Sequence, residues 1–246
     1  MMTDAVTLAR RLVLEKFPQA RAAWLGGSVI TGMTTPASDL DITILLTGSP
    51  APYRESLRHE RWPVELFVQT ETSLMACCGM EVEHRKPTTL RLIGESEVLI
   101  DSDGSGHRLR GLFLRLLDAG PPPPTADEIR SARYGITDLL NDLTATETED
   151  ERMMIAITLW QRLAELLLTG HGRWIGGGKW LQREIRSLDA HTGSAYAHRL
   201  PDALRAVTAG DSGPMIAVTG EILDLFGGPL FEGYRAVPAE AADAER

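Results

Sequence analysis

The sequence predicts an α+β protein: a small mixed β-sheet domain with flanking helices, followed by an all-helical bundle domain. Three observations predict it. Short apolar or alternating segments with strand character lie before residue 70. Four consecutive prolines, Pro121 to Pro124, then interrupt the chain and cannot continue a helix. Beyond them the apolar residues repeat at helical spacing. The expected domains are therefore residues 1–120 and 125–236, with the Ala/Glu-rich stretch 237–246 read as a disordered tail.

The elements follow in order. Thr3 is placed as a helix N-cap, and Val6, Ala9, Leu12, Val13 and Phe17 repeat behind it until Pro18. Ala22 to Leu25 is a short apolar strand that stops at Gly26-Gly27. Residues 28–38 are small, polar and turn-forming. Leu40, Ile42, Ile44 and Leu46 then alternate with Asp39, Asp41, Thr43 and Leu45, the period of two that marks a strand. Pro63 to Gln69 is a further strand, whereas 53–61 is too short and charged to assign. Residues 71–93 are mainly helical, Val98 to Ile100 is a short strand, and Leu109 to Leu117 is an amphipathic helix. After the prolines, Thr125 caps a helix carrying Ile129, Ala132, Ile136, Leu139, Leu140 and Leu143. Helices are also expected over Met153–Thr169, Lys179–Leu188, Tyr196–Ala209 and Met215–Phe226.

Composition narrows the functional classes. With 43% hydrophobic and 24% charged residues, the 246-residue chain is typical of a globular protein with a real core. No apolar run approaches the ~20 residues that a membrane span needs. The amphipathic start, Met1 to Leu14, lacks the basic, apolar and small-residue parts of a signal peptide. A cytoplasmic address is expected. The two cysteines, Cys77 and Cys78, are adjacent, a poor geometry for a mutual disulfide and too few for a structural zinc cluster. Acidic residues number 34 against 25 Lys plus Arg, a net charge of −9. Nucleic-acid binders neutralise phosphates with basic residues, so this balance opposes a broad polynucleotide surface and favours a small, cationic partner. The expected partners are a small-molecule acceptor and neither membrane nor nucleic acid, with a homodimer left open.

The chemistry-bearing stretch is Leu25-Gly26-Gly27-Ser28, then ten residues, then Asp39-Leu40-Asp41. Alternate side chains of a strand share a face, so Asp39 and Asp41 project together, with backbones ~6–7 Å apart. Two carboxylates that close repel unless a cation lies between them. Hard divalent ions such as Mg²⁺ take oxygen ligands and bind through a few carboxylates plus phosphate. Glu65, between Val64 and Leu66, is the natural third acid. The Gly27-Ser28 turn adds a place where backbone approaches a phosphate closely and where N–H and hydroxyl groups donate to its oxygens. Together these parts suit two-metal phosphoryl transfer with a nucleoside triphosphate.

Gly26-Gly27-Ser28 with Ser38-Asp39-Leu40-Asp41 resembles the signature of the DNA polymerase β-type nucleotidyltransferase superfamily. With a helical second half, the arrangement is similar to the kanamycin and lincosamide (aminoglycoside) branch. The match covers roughly 20–105, including Arg91-Leu92-Ile93-Gly94 and Val98-Leu99-Ile100-Asp101. The resemblance implies that Gly27, Ser28 and Ser38 contact the triphosphate, with ATP the expected one, and that Asp39, Asp41 and Glu65 hold two Mg²⁺ ions. It also implies transfer of a nucleoside monophosphate to a hydroxyl of a small, cationic acceptor such as an aminoglycoside. Rival expectations are nucleotidylation of a protein or tRNA, as in toxin–antitoxin pairs, and a silent nucleotide-binding regulatory module.

Relatives often draw an acid and a phosphate-contacting base from the helical domain. Asp138 and Asp142, four residues apart, share a helix face suited to substrate amines or a general base, and equally to solvent. Glu165 interrupts the apolar run 163–168. Gly176-Gly177-Gly178-Lys179-Trp180 lacks P-loop spacing; it is either a helix-joining turn or places Lys179 at the triphosphate. Arg186 and His191 form an Arg-x4-His pair found in some ribonucleases, here more consistent with a helix end.

Overall fold

The structure, a computed structural model, describes residues 2–35 and 37–236. The expected tail 237–246 lies outside the described residues. The chain divides into two compact units, Met1–Pro121 and Pro122–Arg246.

Helix α1, Met2–Lys16, opens the first unit. Thr3 therefore lies within its first turn, not ahead of it as an N-cap. Strands β1 (Ala22–Gly26), β2 (Leu40–Leu45), β3 (Tyr53–His59) and β4 (Trp62–Gln69) follow. Helices α2 (Glu71–Glu83) and α3 (Thr88–Gly94), strand β5 (Glu97–Asp101) and helix α4 (Ser105–Ala119) complete the unit. The strands form one mixed sheet in the order β3-β4-β2-β1-β5. β2 and β4 run parallel, while β1–β2, β1–β5 and β3–β4 are antiparallel.

The sheet buries one side against α1. Leu40, Ile42 and Ile44 of β2 stand in register with Val64, Leu66 and Val68 of β4, and all six are buried. They share one core with Ala5, Leu8, Ala9, Leu12 and Val13 of α1, which recur on one helix face. On the other side α3 and α4 contact β1. There the fully buried Trp24 donates its indole N–H to the Gly106 carbonyl at 3.1 Å. With both sides of its centre covered, β1 is buried along its whole length, which explains its unbroken apolar run.

Strand β3 is the element that the sequence leaves unassigned. Only Tyr53 and Leu57 supply large apolar groups, and the alternate positions Arg54, Ser56 and Arg58 are exposed. It is an edge strand, held by antiparallel pairing to β4 from Tyr53↔Val68 to His59↔Trp62. Charges on an edge strand also discourage pairing with other chains.

The second unit contains α5 (Ala126–Ala145), α6 (Glu149–Gly170), α7 (Lys179–Thr192), α8 (Tyr196–Thr208) and α9 (Gly213–Leu225). Thr125 caps α5 in a full capping box: its hydroxyl accepts the Glu128 N–H at 3.1 Å, and Glu128 accepts the Thr125 N–H at 2.7 Å. The core is built from Leu159, Leu163 and Leu167 of α6 with Ile185, Leu200 and Ile222 of α7, α8 and α9. No helix among the described residues is long and apolar enough to cross a membrane.

Candidate metal centre

The parallel pairing of β2 and β4 sets the site. Its register places Asp41 directly beside Glu65. Because Leu40 and Ile42 point into the α1 core, the side chain between them must leave on the opposite side, and so must Glu65 between Val64 and Leu66. Asp39 precedes the strand by one residue, two positions from Asp41, and keeps its side. The result is a cluster in which one carboxylate oxygen from each of Asp39, Asp41 and Glu65 lies within 4.8 Å of the others. All three residues are half-buried.

The glycine turn closes against this cluster. Gly26, the last residue of β1, pairs with Asp41 across the sheet. Gly27 follows with φ +74°, a left-handed conformation that side chains disfavour. A Cβ at Gly27 would sit 2.1 Å from Asp41 Oδ2, inside any van der Waals contact. Backbone and carboxylate can approach this closely only because residue 27 has no side chain. The chain then coils tightly: Ile30 and Thr31 both donate their N–H to the Gly27 carbonyl at 3.2 Å, and Met33 donates to the Ser28 carbonyl. The Ser28 hydroxyl donates to Ser38 Oγ at 2.9 Å, and Ser38 Oγ also accepts the Thr35 N–H at 2.8 Å. Ser28 and Ser38 are thus tied together at the mouth of the ten-residue connection, one beside Gly27 and the other beside Asp39.

One charged neighbour was not foreseen. Arg54 on β3 donates from Nη2 to Glu65 Oε2 at 2.5 Å, and its guanidinium stands 5.0 Å from the centre of the Phe67 ring. Both contacts follow from register. Arg54 pairs with Phe67 and Ser56 with Glu65, so Arg54 shares the acid's side of the sheet one diagonal step away. The sequence signal was present in the period of two, Tyr53-x-x-x-Leu57 against Arg54-x-Ser56-x-Arg58, but it is weak where only two large apolar groups define the buried side.

The remaining sequence candidates belong to the second unit. Asp138 and Asp142 are exposed on α5. Lys179 is exposed at the first position of α7. The glycines before it serve the helix start: Gly178 holds φ 53° and ψ −123° as N-cap, and a Cβ at Gly176 would meet the Trp180 backbone at 2.4 Å. Trp174 is buried, and Arg183 stacks over Trp180 at 4.6 Å. Glu165 accepts from Gln161 at 3.1 Å and from Arg162 at 3.4 Å along its own helix. Arg186 and His191 are both exposed on α7. Cys77 is half-buried and Cys78 buried, and both are free thiols. Burial raises both thiols above their usual range, opposite to the lowering that makes a cysteine nucleophilic.

No protein-family model matches the chain, and no curated protein matches it. Among solved structures it is similar to a nucleotidyltransferase-like protein from Exiguobacterium sibiricum 255-15. That likeness has 10% identity and a TM-score of 0.40, over 92% of this chain and 82% of the other. At that identity and score, any functional reading stands on the geometry of the carboxylates and the turn.

Proposed function

We propose that the protein is a metal-dependent nucleotidyltransferase. It moves a nucleoside monophosphate from a triphosphate, ATP in the first instance, to a hydroxyl of a small acceptor and releases pyrophosphate. One observation carries this reading: three carboxylates converge within 4.8 Å beside a glycine that touches one of them. A merely solvated strand end has no need of that crowding. Three like charges so close are costly, at about 1 kcal/mol per pair even in the dielectric of water.

The donor set fits a hard divalent cation. Carboxylate oxygens are the ligands that Mg²⁺ and Mn²⁺ prefer, and there is no thiol or imidazole in the cluster to favour zinc. Asp39, Asp41 and Glu65 would hold the metal, which when bound supplies charge neutralisation and polarisation at phosphoryl oxygens. The chain's own groups do the rest. The Gly27–Ser28 backbone donates to phosphate oxygens, and the Ser28 hydroxyl, which donates to Ser38 Oγ at 2.9 Å, would exchange that acceptor for a phosphate oxygen. The turn positions the triphosphate against the carboxylates before reaction, so orientation is set in advance. Asp138 as proton acceptor and Lys179 as phosphate contact are the roles that the resemblance suggests. A cationic acceptor such as an aminoglycoside is supported by the net charge of −9.

The test is direct. Purified protein is incubated with labelled ATP, Mg²⁺ and a panel of aminoglycosides and other small hydroxyl acceptors, and pyrophosphate is measured. The expected result is metal-dependent release coupled to a labelled acceptor, abolished by Asp41→Asn. Binding of ATP with no turnover on any acceptor, and equal behaviour of wild type and Asp41→Asn, would defeat the proposal.

A further inference from the structure

Resting on that reading, we propose that Arg54 is a positioning residue of the metal centre: a resident counter-charge that aims Glu65 and holds down the site's affinity for free divalent ions. Its two contacts both restrain the guanidinium. Nη2 holds Glu65 Oε2 at 2.5 Å, while the guanidinium lies 5.0 Å from the Phe67 ring centre. Phe67 is two residues from Glu65 on β4, on the same side of the sheet. Stacking on an aromatic face and donation to a carboxylate together suit the planar guanidinium, which lysine does not reproduce.

Two effects of this arrangement oppose each other, and magnitude decides between them. Arg54 occupies one oxygen of Glu65 and fixes the side chain, which saves ordering cost when a metal arrives. Fixing one or two side-chain torsions changes affinity only a few-fold. Arg54 Nη2 lies 2.5 Å from Glu65 Oε2, and the ligand oxygens of the three acids lie within 4.8 Å of one another, so a dication among them would sit on the order of 6 Å from the guanidinium charge. At that distance the repulsion changes affinity about tenfold even at the dielectric of water. Arg54 is 58% exposed, so the high-dielectric value applies. Repulsion wins. Before metal arrives the same charge offsets part of the mutual repulsion of Asp39, Asp41 and Glu65. The design keeps the acids gathered yet leaves free metal weakly held, so that tight binding requires the additional oxygens of a phosphate ligand.

The experiment measures Mn²⁺ binding to the nucleotide-free protein by calorimetry, for wild type, Arg54→Gln, Arg54→Met and Arg54→Lys. Met keeps aliphatic packing against Phe67 and serves if the Gln variant folds poorly. The expected result is about three- to tenfold tighter Mn²⁺ binding by the Gln and Met variants at low salt, narrowing as salt rises. The Lys variant, which keeps the charge, should stay within about twofold of wild type. In EDTA the neutral variants should melt lower than wild type, and saturating Mn²⁺ should remove that difference. Unchanged or weaker Mn²⁺ binding by both neutral variants overturns the role of Arg54 while leaving the metal centre intact. Failure of the wild type to bind Mn²⁺ overturns the metal centre itself, and the role of Arg54 with it.

Discussion

Gly27 offers the sharpest test of the site, because a second glycine supplies its control. Gly27 and Gly32 have nearly the same left-handed φ, +74° and +73°. Alanine at either position pays the same left-handed penalty, about 1 kcal/mol. Their surroundings differ. Among the described residues a Cβ at Gly32 meets nothing within 4 Å, whereas at Gly27 it lies 2.1 Å from Asp41 Oδ2 and 3.0 Å from Cγ. Restoring ordinary contact requires the Asp41 carboxylate and the turn to separate by ~1 Å. Misplacement on that scale costs about 100-fold in a reaction that depends on preset geometry. Both variants should therefore lose stability, a few degrees of melting temperature by calorimetry, with Gly27→Ala losing more because its Cβ must also displace Asp41. Only Gly27→Ala should lose Mn²⁺ affinity and drop about 100-fold in pyrophosphate release. Equal Mn²⁺ affinity and equal turnover in Gly27→Ala and Gly32→Ala would refute the claim that the turn and Asp41 form one site.

Three further outcomes follow from particular contacts. Asp39→Asn removes one of three crowded charges, so the metal-free protein should gain up to about 1 kcal/mol in urea unfolding while losing the stabilisation that Mn²⁺ gives the wild type. Thr125→Ala removes the hydroxyl half of the capping box at the start of α5, leaving the backbone N–H that Glu128 accepts, and should cost about 1 kcal/mol in the unfolding of the second unit, with Mn²⁺ binding unchanged. Asp103 accepts from Ser105, whose backbone N–H lies 3.0 Å away, and from Arg21 at 2.6 Å, and these donors hold its carboxyl down to about 2. A carboxyl lowered on folding stabilises the protein while ionised, so its contribution is complete above about pH 4 and is lost as pH falls towards 2. Urea midpoints measured from pH 6 to pH 2 should fall less steeply below pH 4 in Asp103→Asn than in wild type.

Local chemistry determined a good deal of this protein before any folding was considered. Strand β2 was legible because Leu40, Ile42 and Ile44 alternate with polar groups, and that alternation alone places Asp39 and Asp41 on one side. The start of α5 was legible because Thr125 and Glu128 stand three apart, the spacing of a reciprocal cap. Helix ends were less so: α6 begins at Glu149, four residues before its apolar pattern, because an acidic first turn is favoured by the helix dipole and carries no periodicity.

What tertiary structure alone decided is which residues stand side by side. Glu65 was legible as an acid out of place in an apolar strand, but its union with Asp41 depends on β4 pairing parallel to β2 in one register; a slip of one residue would have turned it into the α1 core. The contact of Gly27 with Asp41 depends on β1 ending opposite that residue, a distance no spacing of residues encodes. Arg54 was barely legible for a related reason. An edge strand buries one side only in part, so its sequence carries little hydrophobic pattern, and its charge acquires meaning only from the neighbour that the sheet places across from it.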